Sequence, residues 1–132
     1  MAVEAKLVDP AAQPTWQFDW GQVKPLMTAA DSDAGTLSTV HVVMQPGLGH
    51  ERHNHPESDE LIHVLSGEGE QMVDDGEPFP LRAGQTVVIP KGVWHSTVNT
   101  GSEPMSVLAV YAPAGPERVL ADLAAGDGEE SA

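Results

Sequence analysis

From Thr36 onward the chain alternates short runs of β-branched and apolar residues with tight polar interruptions. TLSTVHVVM (36–44), DELIHVLS (59–66), GEQMV (69–73), FPLR (79–82), QTVVI (85–89), HSTVN (95–99) and MSVLAVY (105–111) each have strand length and strand composition. Between them stand QPGLG, DDGEP, AGQ, PKG and TGSEP, in which the turn formers glycine, proline, aspartate and serine concentrate. Runs this short and this regular, with no long helical pattern among them, predict an all-β sandwich or barrel.

The ends read differently. Prolines at 10, 14 and 25 interrupt residues 1–35, and Trp16, Phe18 and Trp20 alternate as the apolar side of a short strand would. This segment is expected to be an arm packing on a body of residues 36–113, either as a plain core contact or across a subunit interface, where aromatic residues concentrate. In residues 114–132, Pro116 suits a first helical position and Glu117 complements the N-terminal dipole. Val119, Leu120 and Leu123 then form a one-sided stripe before Gly126, predicting a short helix on the barrel with GDGEESA frayed beyond it. There is no internal repeat, so a single barrel is expected.

Composition narrows the possibilities. A length of 132 residues suits one domain. Six Lys+Arg against twenty Asp+Glu give a net charge of −14, which argues against nucleic acid or an anionic membrane as partner. No apolar run reaches the length of a membrane span, and MAVEAKLVDP lacks the order of a signal peptide, so a cytoplasmic protein is expected. The absence of cysteine excludes disulfides, zinc–thiolate sites and thiol nucleophiles, leaving nitrogen and oxygen ligands for any metal.

The chemistry concentrates in GLGHERHNHPESDELIHVLSG (47–67). His53 and His55 are two apart, so an extended chain presents both on one face. Glu60 opens the following strand and can converge on the same point across a loop or bulge. A fourth ligand must come from a distant strand, and His95 in PKGVWHSTVN is the candidate. Imidazole and carboxylate together suit divalent first-row metals.

Residues 47–67 match the first cupin motif at Gly47, His53, His55, Glu60 and Gly67, and residues 84–99 match the second at Gly84, Pro90, Gly92, His95 and Asn99. Over roughly residues 36–113 the chain therefore resembles the cupin superfamily. The resemblance implies a double-stranded β-helix, the jelly-roll barrel, with Fe, Mn, Ni, Cu or Zn held inside by His53, His55, Glu60 and His95. It also implies open coordination positions and a small-molecule substrate. Dioxygenase-like chemistry is the first expectation; a metal-assisted isomerase, cyclase or lyase, or a non-catalytic binding protein, are the alternatives. Compact members of the family suggest a homodimer.

Other residues are weighed beside these. Gln71 and Tyr111, with Met44, are pocket candidates. His41 is ambiguous between a pocket-lining group and a satisfied core histidine, because both faces of its strand are mostly apolar. His63 stands an odd number of positions from Glu60 and should face away. His50 is expected to be an exposed loop histidine ahead of one at the pocket mouth, Trp94 to pack on the outside or rim, and Arg52 to form a surface ion pair ahead of meeting an anionic substrate.

Overall fold

The computed structural model describes residues 5–31 and 35–125. The expectations placed on Gly126 and GDGEESA lie outside these residues. Among the described residues the chain forms ten strands, a 3-10 turn (Pro10–Ala12) and one α-helix, α1 (Glu117–Ala125). Every strand pairing is antiparallel. A six-stranded sheet runs in the order β1 (Trp16–Phe18), β2 (Gly21–Met27), β3 (Ser38–Met44), β10 (Met105–Ala112), β5 (Asp59–Ser66) and β8 (Thr86–Ile89). A four-stranded sheet runs β4 (Gly49–His53), β9 (His95–Asn99), β6 (Glu68–Val73) and β7 (Phe79–Arg82). The expected all-β jelly roll is the fold observed. No described helix is long and apolar enough to cross a membrane.

Strand alternation builds the interior unequally from the two sheets. The six-stranded sheet sends in Val23, Val40, Met44, Ile62, Val64, Val107, Ala109 and Ile89, an apolar wall. The four-stranded sheet buries Gln71, His95, Thr97 and Asn99. Buried polar groups need partners, and these have them. Asn99 Nδ2 donates to Met44 O at 2.9 Å and Glu103 O at 2.8 Å, while its Oδ1 accepts from Gly101 N at 2.8 Å.

Two strands depart from the sequence reading. β2 contains Lys24 and Pro25, which disguise it, yet Pro25 is tolerated because β1 pairs only with Gly21, Gln22 and Val23 and leaves its edge free. β4 was expected to be loop, because GHERH lacks apolar alternation. Through β1 and β2 the aromatic segment is tied to the large sheet by backbone pairing within the chain.

Helix α1 closes one end. Leu120 is buried, but Val119 is 60% exposed, so the expected stripe narrows to Leu120 with Leu123 half-buried beside it. Glu117 does more than complement the helix dipole. Its carboxylate accepts from Ser38 Oγ at 2.6 Å, Ala29 N at 2.8 Å and Gly115 N at 3.0 Å, pinning the helix start to β3 and the loop after β2.

Candidate metal centre

Each member of the predicted His–His–Glu–His set reaches the interior by a different local device. Glu60 sits on β5 between Tyr111 and Ile89 on the neighbouring strands, and alternation turns it inward. His95 opens β9 after a turn at Gly92, whose φ of +82° is left-handed and suits glycine. Gly92 N donates to His55 O at 2.9 Å, and Asn54 Nδ2 donates to Gly92 O at 3.2 Å. The turn before His95 is thereby stitched to the segment that carries His53 and His55.

β4 carries a bulge. His50 pairs with Thr97 and His53 with His95, so Glu51 and Arg52 stand opposite the single residue Ser96. The extra residue flips the phase, and His50 and His53 both face the cavity despite their odd spacing.

One ligand atom from each of His53, His55, Glu60 and His95 lies within 4.8 Å of all the others. Glu60 Oε1 is 2.9 Å from His95 Nε2 and 3.1 Å from His55 Nε2. The ring of His53 lies 4.3 Å from that of His95 and 4.9 Å from that of His55. His53 Nδ1 donates to Glu51 O at 2.7 Å and His95 Nδ1 to Val93 O at 3.0 Å; a carbonyl only accepts, so both Nδ1 atoms carry the proton. Neutral His53 therefore presents a bare Nε2 lone pair, whereas His95 Nε2 donates to Glu60 Oε1 at 2.9 Å and frees its own lone pair only when that proton leaves. His55 Nε2 is buried and, although close to Glu60, has no hydrogen-bond partner at an acceptable angle. An orphaned buried nitrogen and converging lone pairs beside a carboxylate are a donor set that fits a divalent cation.

A cupin-domain profile matches residues 40–111. The chain belongs to the cupin family. It is 33% identical over 112 residues to SchB of Streptomyces halstedii, covering 85% of this chain and 80% of SchB. It is 35% identical over 101 residues to the polyketide synthase CurC of Streptomyces cyaneus, covering 76% of this chain and 64% of CurC. Among solved structures, KdgF from Halomonas sp. superposes with a TM-score of 0.73 at 19% identity, covering 87% of this chain and 99% of KdgF, a likeness of fold.

The electrostatics of the cupin site follow from burial. Burial alone would raise the Glu60 carboxyl, but contacts with His55 and His95 bring it down to about 2. Burial depresses His95, but the hydrogen bond and charge of Glu60 outweigh it and raise the imidazole. His53 is lowered to about 3 and His50 to about 4, in each case chiefly by burial. The Tyr111 phenol is raised well above its ordinary value by burial, then by the charges of Glu60 and Glu117.

The cavity beside the cluster has a volume of about 40 Å³, room for a few water molecules. Its lining is polar at His53, Glu60, His95, Thr97 and Tyr111 and apolar at Met44, Ile62, Val107 and Leu120. Tyr111 and Met44 line this cavity, with the Tyr111 ring 5.1 Å from His55. Gln71 is buried one layer back, its Oε1 accepting from the Thr97 hydroxyl. His41 is corrected: it alternates with the cavity-lining Val42 and lies on the outer face against Ser106. His63 also faces outward, toward Thr86 Oγ1 at 2.8 Å. Arg52 reaches Asp75 at 3.5 Å and lies over the Trp94 ring, as a surface group would.

Sequence reasoning missed His50 and Trp20, both of which line the cavity. The available signal was the adjacent charged pair Glu51–Arg52, since two successive exposed residues in a strand mark a break in its period.

Proposed function

We propose that this cupin is a metal-dependent enzyme that moves a proton on a small enolisable carbonyl compound, as an isomerase or cyclase does. The observation that carries the reading is the convergence of Glu60 Oε1 with His55 Nε2 and His95 Nε2 at 3.1 and 2.9 Å inside a cavity that also receives the Tyr111 phenol. His53, His55, Glu60 and His95 would hold one divalent ion, drawn from Fe, Mn, Ni, Cu and Zn. Such an ion supplies Lewis-acid polarisation of a carbonyl oxygen. The backbone carbonyls of Glu51 and Val93 fix the His53 and His95 tautomers. Tyr111, held protonated, donates to a substrate oxygen. The apolar wall of Met44, Ile62 and Val107 keeps water away. The kinship with a polyketide synthase protein supports an enolisable substrate, because polyketide chains carry carbonyls flanking acidic C–H groups.

Dioxygenase-like chemistry is the second reading, since the nitrogen–oxygen donor set suits Fe(II) as well. Anaerobic incubation of metal-loaded protein with simple ketones in D2O separates the two. Deuterium entering beside the carbonyl, and absent from the metal-free protein, is the expected result. Oxygen uptake with no anaerobic exchange would move the assignment to a dioxygenase. Failure of the purified protein to retain any divalent ion would overturn both.

The oligomer we propose is a homodimer formed through the outward face of the six-stranded sheet. The chain carries twenty Asp+Glu, yet between strand ends none stands at the outward positions of β3, β10, β5 and β8. Those positions include Leu61, Leu108 and Val110, half-buried, with Leu65 50% and Val88 59% exposed. Two copies of so acidic a chain repel least where carboxylates are missing.

A further inference from the structure

Besides Thr97 and Tyr111, the cavity is lined by one more polar side chain outside the metal-binding set of His53, His55, Glu60 and His95, that of His50. Its ring lies 5.1 Å from Trp20 and 4.1 Å from His53, packed between them. Trp20 in turn stacks on Phe18 at 5.2 Å with planes 5° apart. A column of four rings thus runs from β1 to the ligand cluster.

We propose that His50 is a substrate-contact residue: the nitrogen-bearing edge of its imidazole, clamped by Trp20 and His53, hydrogen-bonds a small planar ligand with two chelating oxygens. The ligand class is an enediolate or a 1,3-dicarbonyl enolate. The inference rests on the metal-site reading and extends it to the substrate. With a ring on either side, the imidazole has little freedom to rotate, so its edge has a defined aim. The neighbouring wall is otherwise hydrocarbon and aromatic, including Val23, Val42, Met44 and Leu120, and hydrocarbon would fill the position without losing hydrogen bonds to water. The β4 bulge, which interrupts the ladder with β9, is what turns this imidazole inward. Tyr111 meets the cluster at His55 and His50 meets it at His53. The two side chains therefore address different parts of a ligand, one offering a hydroxyl proton and the other a ring nitrogen.

Acetohydroxamate is the probe, because its planar O–C–N–O unit mimics a cis-enediolate and adds an N–H. Protein loaded with Co(II) under anaerobic conditions is assayed for metal stoichiometry, visible spectrum and acetohydroxamate affinity by calorimetry. H50F keeps the ring between its neighbours and removes both nitrogens. It should hold the same metal per chain, with an unchanged resting spectrum, and bind the probe about tenfold more weakly, the effect of one ordinary hydrogen bond. H50Q should recover part of the loss, and Y111F should weaken binding separately. Equal probe affinity in wild type and H50F would overturn the inference while leaving the metal site intact. So would a fall in cobalt stoichiometry in both H50F and H50Q, which would make His50 a ligand. Wild-type protein that binds cobalt but no acetohydroxamate would also sink the inference alone, whereas wild type that binds no cobalt would sink the metal reading with it.

Discussion

Glu60 Oε1 lies 2.9 Å from His95 Nε2, joining β5 to β9 across the barrel interior and across 35 residues of sequence. His55 reaches the same oxygen at 3.1 Å, so one carboxylate atom is shared by two imidazoles from different segments. Removing its charge takes away the only anionic group of the four. E60Q is expected to fold and to lose divalent-ion affinity on the order of 100-fold or more, read by competition against a chromogenic chelator, given that even outer-sphere changes cost 10–100-fold. Affinity equal to wild type would show that the ion, if bound, sits elsewhere.

Glu117 should make stability depend on pH. Its three hydrogen bonds, from Ser38 Oγ, Ala29 N and Gly115 N, hold the folded carboxyl below the ordinary glutamate value of 4.5 against the opposing effect of burial. A depressed folded pKa contributes stability that is complete above about pH 4.5 and is lost as pH falls through the folded value. E117Q is expected to cost about 2 kcal/mol at pH 7, the scale of hydrogen bonds to a charged group. The difference between E117Q and wild type in urea unfolding should shrink below pH 4.5. A difference that stays constant from pH 7 to pH 3 would show that packing, not charge, is what Glu117 supplies.

What the sequence made legible divides along the strand period. β5, β7 and β9 fall at 59–66, 79–82 and 95–99, the runs read from sequence, because turn formers bracket each of them. Glu60 and His63 face opposite sides as alternation requires, and the motif spacing singled out the four side chains that meet. Where the period breaks, the reading fails. The β4 bulge hid a strand and placed His50 in the cavity, since two residues opposite one cannot be seen in a single strand's text. Pro25 hid β2 because its tolerance depends on β1 ending short, a tertiary fact. His41 was ambiguous for another reason: apolar residues occupy both faces of β3, and only the pairing partners say which face is the interior.

Gly49 should be intolerant of any side chain. A Cβ built there would lie 2.1 Å from Thr97 O and 2.8 Å from Val98 Cα, both backbone atoms that cannot swing away. The contact sits at the start of the strand that carries His50 and His53. G49A is expected to lose about 2–3 kcal/mol in thermal or urea unfolding, the upper range for overpacking, and to lower metal retention with it. G76A is the control, because its nearest contact is Val73 O at 3.3 Å. Equal stability of the two variants would mean that β4 can move off β9 without penalty.

The homodimer proposed above places its interface on the outer face of the large sheet. Leu108 pairs with His41 on one side and His63 on the other, at the middle of the surface that lacks carboxylates. At micromolar concentration, light scattering should report twice the mass of one chain. L108E places a charge at the centre of the face and should return the single-chain mass. L48E, at a 45% exposed leucine next to the opposite sheet, should leave the dimer intact. Because each chain carries a formal charge of −14, added salt should tighten the wild-type dimer by screening repulsion between copies. A wild-type protein that scatters as a single chain at every salt concentration, or an L108E variant still of double mass, would remove this face as the interface.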